Sequence, residues 1–288
     1  MYLGGFAGFA SAWAYENTAA NPSGTVSVVV ALTCAILASM AGGLIYAFLT
    51  ISLRANQNVT GLALTTFGMG VANFFGVFIL NGASYSAAPI ANKAFSAKIP
   101  VLSTLGSFGQ VVFSYGFLVY AAIALAIALH WFLTRTRAGL NLRAVGENPA
   151  TADAAGINVT LYKYLATCIG AGICGIGGLY YVLDYNQGIW ATTGQIEALG
   201  WLAVALVIFT TWKPLNAIWG AYLFGMLYWL YQFLPTLLGI TMASHITDLV
   251  QMLPYVVTIV VLIVVSMRKK KENQPPAHLG LAYFREER

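Results

Sequence analysis

The chain has 288 residues, 59% of them hydrophobic and 8% charged, with a formal net charge of +5. A soluble domain carries about 25% charged residues, so the composition excludes one and implies an all-α polytopic membrane bundle. The basic residues lie in short loops and in the tail, not in a grooved basic module, which argues for membrane orientation and against a nucleic-acid partner.

Apolar segments are expected at Leu3–Tyr15, Val26–Ile51, Val59–Leu80, Val111–Leu133, Leu161–Leu183, Ala198–Thr211, Leu215–Phe233 and Leu249–Met267. At about 1.5 Å of rise per residue the first is too short for a full span. It reads as a truncated or partial helix, so seven to eight membrane segments are expected. Nothing polar and domain-sized interrupts them, and residues 1–288 read as one transmembrane domain. No cleavable signal is evident, because Met1 runs directly into Gly-rich apolar sequence without a basic region.

Threading eight crossings with the C-terminus inside places Arg54, Arg135, Arg137, Arg143, Lys163, Lys213, Arg268, Lys269, Lys270, Lys271, Arg285 and Arg288 on one side. Of the 14 Lys and Arg residues, only Lys93 and Lys98 fall on the other. That asymmetry makes the first side cytoplasmic and puts both termini inside. The links 81–110, 184–197 and 234–247 then face outward. Asn81–Pro100, rich in small residues, reads as an irregular loop with a short interfacial piece. The basic run 268–271 holds the last span and meets anionic lipid, at the head of a cytoplasmic tail, 268–288.

Glycines at 42–43, 68, 70, 170, 172, 175, 177 and 178 permit close helix packing or local unwinding. Gly170–Gly175 matches GxGxxG but falls inside a predicted membrane helix, without the preceding strand that a dinucleotide site needs. No GxxxxGK[ST] occurs, so ATP hydrolysis, if it drives the protein, belongs to another polypeptide. Cys34, Cys168 and Cys174 have neither a CxxC partner nor a nearby His. They read as small core residues, and no metal or cofactor is expected. The nine acids all lie in loops or near span ends. A proton-coupled carrier generally needs a charge in mid-membrane, which disfavours a stand-alone secondary transporter or channel.

The longest polar interruption is Thr134–Thr160. Asn148 suits an N-cap, Pro149 the first helical position, and Gly156 a left-handed residue after the helix end. The pattern predicts a helix over 149–155, roughly 10 Å long, too short to be stable in water alone. Its small Ala-rich surface suits insertion into a groove of another protein. An ordinary loop with one helical turn is the alternative.

The string TRAGLNLRAVGENPATADAAGI (136–157) resembles the cytoplasmic coupling loop of bacterial ABC-importer permeases for branched-chain amino acids, simple sugars and nucleosides. LRANQNVTGLALTTFGMG (53–70), LGWLAVALVIFTTWKPLNAIWGAYLFG (199–225) and LGLAYFREER (279–288) resemble the nucleoside and simple-sugar branch. The resemblance implies a permease subunit in the bacterial inner membrane. Its implied partners are a second permease, an ATPase subunit and an extracytoplasmic solute-binding protein. It also implies an ATPase-coupling site at Gly146, Glu147, Asn148, Pro149, Ala152, Asp153 and Gly156. Members of that family carry a further apolar segment before the stretch resembling MYLGGFAGFA, so a shortened form or a late start is expected.

A solute pathway is expected along the third segment, where Thr65, Thr66 and Asn73 interrupt apolar sequence beside Phe67. Thr65 and Asn73, eight apart, fall near one helical face. The outer residues Asn186, Gln187 and Trp190 extend that pathway. The alternatives are interhelical hydrogen bonding for the polar residues and interfacial anchoring for Tyr185 and Trp190.

Overall fold

The structure is a computed structural model. It describes residues 1–80, 88–97, 115–190 and 195–238, together with 252, 256, 257, 259, 260, 263, 267 and 274–284. Most of the expected span Leu249–Met267 lies outside the described residues. So do Lys98, Arg268–Lys271 and most of the links 81–110 and 234–247.

The long described elements are all helices: α1 (Tyr2–Thr18), α2 (Gly24–Ala47), α3 (Gln57–Leu80), α4 (Pro89–Phe95), α5 (Phe117–Arg135), α6 (Arg137–Glu147), α7 (Pro149–Ala154), α8 (Val159–Tyr180), α9 (Gln195–Phe209) and α10 (Pro214–Leu238). α2 and α8 each continue into a π-helical turn, Phe48–Ser52 and Tyr181–Tyr185. Among the described residues four helices are long and apolar enough to cross a membrane: Gly24–Ser52, Gln57–Phe78, Phe117–Arg135 and Val159–Tyr185. That is fewer than the seven to eight expected. α9 is a shorter apolar helix, and the last expected segment is largely undescribed.

The chain divides into two compact units. The first comprises 1–122, 148–198 and 280–288. At its centre α1 packs against α2, α3 and α8, and α2 packs against α8. The buried positions of α2 are Ser27, Ala31, Ala35, Ser39, Gly42, Gly43 and Ala47, spaced by about one turn and all small. α8 buries Cys168, Gly172, Gly175, Gly178 and Leu179 at matching spacing. Lipid offers apolar side chains no gain on leaving it, so helices in a bilayer associate through close van der Waals packing, which small residues allow. Here the approach is backbone to backbone. A Cβ added to Gly4 would lie 2.5 Å from the Cα of Gly175, and one added to Gly5 would lie 2.9 Å from the carbonyl oxygen of Gly178.

α1 is therefore central to the first unit. It extends to Thr18 because Asn17 and Thr18 donate side-chain hydrogen bonds back to the carbonyls of Trp13 and Ala14, at 3.0 and 2.7 Å. Its Phe9 and Ala12 are fully buried. Cys168 is buried, as a small core residue is expected to be; Cys34 is half-buried and Cys174 exposed, which corrects the core reading for those two.

At the far end of α1, Glu16 holds α4. Its carboxylate accepts the backbone N–H groups of Ile90 (3.1 Å) and Ala91 (2.7 Å) and the hydroxyl of Ser27 (3.1 Å). These are first-turn donors that α4 cannot satisfy internally, and a carboxylate there also complements the helix dipole. The other end of α4 is tied to the π-turn after α8. Asn92 donates to the carbonyl of Leu183 at 2.7 Å, and the Ser96 hydroxyl donates to Asp184 at 2.8 Å. The stretch expected as an irregular loop thus contains a seven-residue helix fixed at both ends.

The second unit comprises 123–147 and 199–279. Thr136 ends α5 and caps α6, its hydroxyl accepting the N–H of Gly139 at 3.0 Å. Gly139 is needed there because a Cβ would overlap the carbonyl of Phe132. α9 and α10 are joined through Thr210–Lys213. Thr211 and Trp212 take positive φ (54° and 61°), and Asn216 donates to the carbonyl of Thr210 at 3.3 Å. Phe209 meets Phe224 edge to face at 5.1 Å.

Candidate functional site: a capped helix and a polar helix face

α7 forms for the local reasons read in its sequence. The Asn148 side chain accepts the N–H of Thr151 at 3.1 Å, and Pro149 occupies the first turn. At the other end Gly156 has φ +82°. The N–H of Gly156 donates to the carbonyl of Asp153 (3.0 Å) and that of Ile157 to the carbonyl of Ala152 (3.0 Å). This pair of bonds is the Schellman closure, which requires a left-handed residue at the position Gly156 fills. The helix ends at Ala154, one residue before the expected boundary.

Burial divides the expected coupling residues. Pro149 and Ala152 are buried and hold the helix in place. Glu147, Asn148, Thr151, Ala154, Ala155 and Gly156 are exposed, and Asp153 is half-buried. The exposed side of α7 is thus Thr151 and Ala154, continued by Ala155, with Ala152 turned inward. Gly146 and Glu147 end α6 in the second unit. There the carbonyl of Gly146 accepts the N–H of His278 at 3.0 Å, and Pro276 lies against Gly146.

Beside α7 in the first unit lies a cleft of about 620 Å³. Its polar lining includes Ser52, Arg54, Gln57, Asp153, Asn158 and Lys163, with the tail residues Leu281–Tyr283 along one wall.

On α3, Thr65 and Thr66 return their hydroxyls to the carbonyls of Gly61 (2.8 Å) and Leu62 (3.1 Å) within the same helix. Thr65 is half-buried; Thr66 and Phe67 are exposed. Phe67 lines a shallow apolar depression of about 300 Å³ with Leu49, Val59 and Leu64. Asn73 is half-buried, and its Oδ1 is enclosed without a hydrogen-bond partner. Trp190 is buried, its ring against Phe6 (5.3 Å, edge-on) and Phe9 (5.9 Å, stacked), with Nε1 unpartnered beside Gly76. Asn186 and Gln187 belong to the turn that closes α8. Asn186 donates to the carbonyl of Ile189 at 2.6 Å, and Gln187 is exposed with φ 52°. The structure thus brings Trp190 onto α1 and α3, and leaves Asn186 and Gln187 in the turn.

Residues 1–264 match the family described as branched-chain amino acid transport system / permease component. The chain belongs to that family. It is 37% identical over 197 residues to a putative glucose ABC transporter permease protein of Haloferax volcanii, a match covering 67% of this chain and 57% of that protein. A guanosine ABC transporter permease protein of Bacillus subtilis is 36% identical over 202 residues, 66% of this chain and 60% of that one. A nucleoside ABC transporter permease protein of Lactococcus lactis is 30% identical over 264 residues, 91% and 80% respectively. The chain spans about three fifths of the length of the first two. No solved structure matches. As a member of this permease family with several apolar helices, the protein is multi-pass in its membrane.

Two features of this permease component were not anticipated from sequence. α6 was one: its signal was present in the Thr136 cap and in an apolar side reaching the buried Val145. The other is that the tail lies against α7, where the Tyr283 hydroxyl donates to Asp153 Oδ2 at 3.1 Å. No local pattern announces such a contact between residues 130 positions apart.

Proposed function

We propose that the chain is a transmembrane permease subunit of an ATP-driven ABC importer, moving a nucleoside or simple sugar into the cytoplasm. The observation that carries this reading is α7, a six-residue helix fixed by an N-cap and a Schellman closure, presenting small side chains outward in a chain of this permease family. The relatives' names supply the solute class: guanosine, nucleoside and glucose. ATP hydrolysis then belongs to a separate subunit that docks on α7, with Gly146 and Glu147, which precede it in the sequence, assigned to the same role. A second permease and an extracytoplasmic binding protein complete the assembly, all within one permease domain. ATP shifts the spans between outward and inward access only through contacts that differ between the two states. Co-purification and uptake test the reading. An importer permease brings down an ATPase and takes up nucleoside or sugar only with ATP. ATP-independent uptake with no captured ATPase points to a stand-alone transporter.

Orientation follows from the charge asymmetry: α7, Arg143 and the 269–271 cluster cytoplasmic, Lys93 outside. Cysteines placed singly at these positions are expected to react with an impermeant reagent in intact cells only at 93. Labelling at 143 with protection at 93 reverses the threading.

The solute pathway is assigned to Thr65, Thr66, Phe67 and Asn73, with Trp190, Asn186 and Gln187 toward its outer end. An enclosed amide oxygen without a partner is held at a cost of about 1–3 kcal/mol, which favours a transient partner for Asn73 during transport. Asn73→Leu is expected to lower uptake severalfold while the amount of folded protein in the membrane stays within about 30% of wild type. Parallel loss of both assigns Asn73 to packing.

A further inference from the structure

The tail closes the side of α7 that its own caps leave open. Residues 281–283 line the 620 Å³ cleft, and together with Phe284 they engage three separate elements of the first unit. The Tyr283 hydroxyl donates to Asp153, in the last turn of α7. The Tyr283 ring lies under the ammonium of Lys163, in the second turn of α8, at 5.9 Å. The Phe284 ring lies under the guanidinium of Arg54 at 4.3 Å, within cation–π range. Arg54 occupies the turn between α2 and α3, where its φ is +56°. Each ring thus gives a cation beside the cleft an aromatic partner.

A six-residue helix cannot hold its orientation by intrinsic propensity. The Asn148 cap and the Schellman closure fix its shape, and buried Pro149 and Ala152 seat it. Its C-terminal turn continues into α8 through the short link 155–158. Asp153 is the one acidic side chain on α7 and faces the tail, leaving Thr151, Ala154 and Ala155 open to a partner.

We infer that residues 281–284 form a strap that positions α7, with Tyr283 as the latch. A displacement of α7 is thereby passed to the base of α8 and to the α2–α3 turn as well as along the chain. Tyr283, Phe284, Arg54 and Lys163 are positioning residues in this account. It rests on the assignment of α7 as the ATPase-docking element.

The test uses the full assembly in nanodiscs with two variants, Tyr283→Phe and a deletion of 281–288. Loss of one hydrogen bond of ordinary net strength corresponds to about fivefold in an opening equilibrium. Hydrogen exchange of the α7 amides is expected to accelerate by about that factor in Tyr283→Phe and by more in the deletion, with exchange in mid-α8 unchanged. Solute-stimulated ATP hydrolysis is expected to fall severalfold while basal hydrolysis, KM for ATP and captured ATPase stay at wild-type values. A structural defect would instead lower captured ATPase and basal rate together. Unchanged α7 exchange in both variants overturns the strap. So does accelerated exchange with undiminished stimulation. Failure of the α7 assignment is separately visible, as normal ATPase capture and stimulation in variants that break α7 itself.

Discussion

Replacing Gly156 by valine is expected to lower solute-stimulated ATP hydrolysis and capture of the ATPase by roughly tenfold, from a left-handed backbone penalty of about 1–2 kcal/mol for residues with a Cβ. The cause is conformational alone. Gly156 has φ +82°, and a Cβ placed there would meet nothing within 4 Å. A β-branched residue resists that φ most strongly. To relieve it, the chain must give up the hydrogen bonds from Gly156 and Ile157 that close α7. Asparagine visits the left-handed region more readily than other residues with a Cβ, so Gly156→Asn is expected to keep most of the coupling. Membrane insertion of both variants, checked by protease protection, separates uncoupling from misassembly. Wild-type capture and stimulation in Gly156→Val reject this loop as the coupling element.

The second large effect lies at the seam of α1, α2 and α8. In an exposed helix Gly→Ala gains up to about 1 kcal/mol from propensity. At Gly175 the added Cβ would lie 2.7 Å from the carbonyl oxygen of Ala35 and equally close to the Cβ of Ser39, with the Ser39 hydroxyl nearer still. Backbone does not move aside as a side-chain tip does, so the helix axes must separate. Overpacking of this kind costs about 1–3 kcal/mol. Gly175→Ala is therefore expected to lower the melting temperature of the purified protein and the yield of folded material. Gly170, five residues earlier on the same helix, has nothing within 4 Å of the corresponding position. Gly170→Ala is expected to be neutral or stabilising. The opposite signs are the check: equal behaviour of the two variants shows that the close seam does not govern stability.

What could be read from the sequence was what local chemistry decides. Asn148, Pro149 and Gly156 fixed α7 because capping and a left-handed terminus are properties of neighbouring residues. The apolar runs marked α2, α3, α5 and α8 because length and composition are enough to declare a membrane helix. The role of α1 was missed because its central place comes from Gly4 and Gly5 meeting Gly175 and Gly178, distant in sequence. Trp190 read equally well as an interfacial anchor, and only the fold buries it between Phe6, Phe9 and Gly76. That Ala152 faces inward was not legible, because composition alone does not say which way a short helix faces.

The seam also sets how the first unit carries force. Its buried positions are mostly Ser, Ala and Gly, which have few or no rotamers to redistribute. Two helices pressed together at their backbones have no soft layer between them to absorb a push. The run Val159–Tyr185 is 27 residues long, roughly 40 Å at the helical rise. It starts beside α7, and Asp184, one residue before its end, holds α4 through Ser96. Braced along one side, it acts as a stiff rod. Movement imposed at the base of that rod is expected to displace the short helix at its far end.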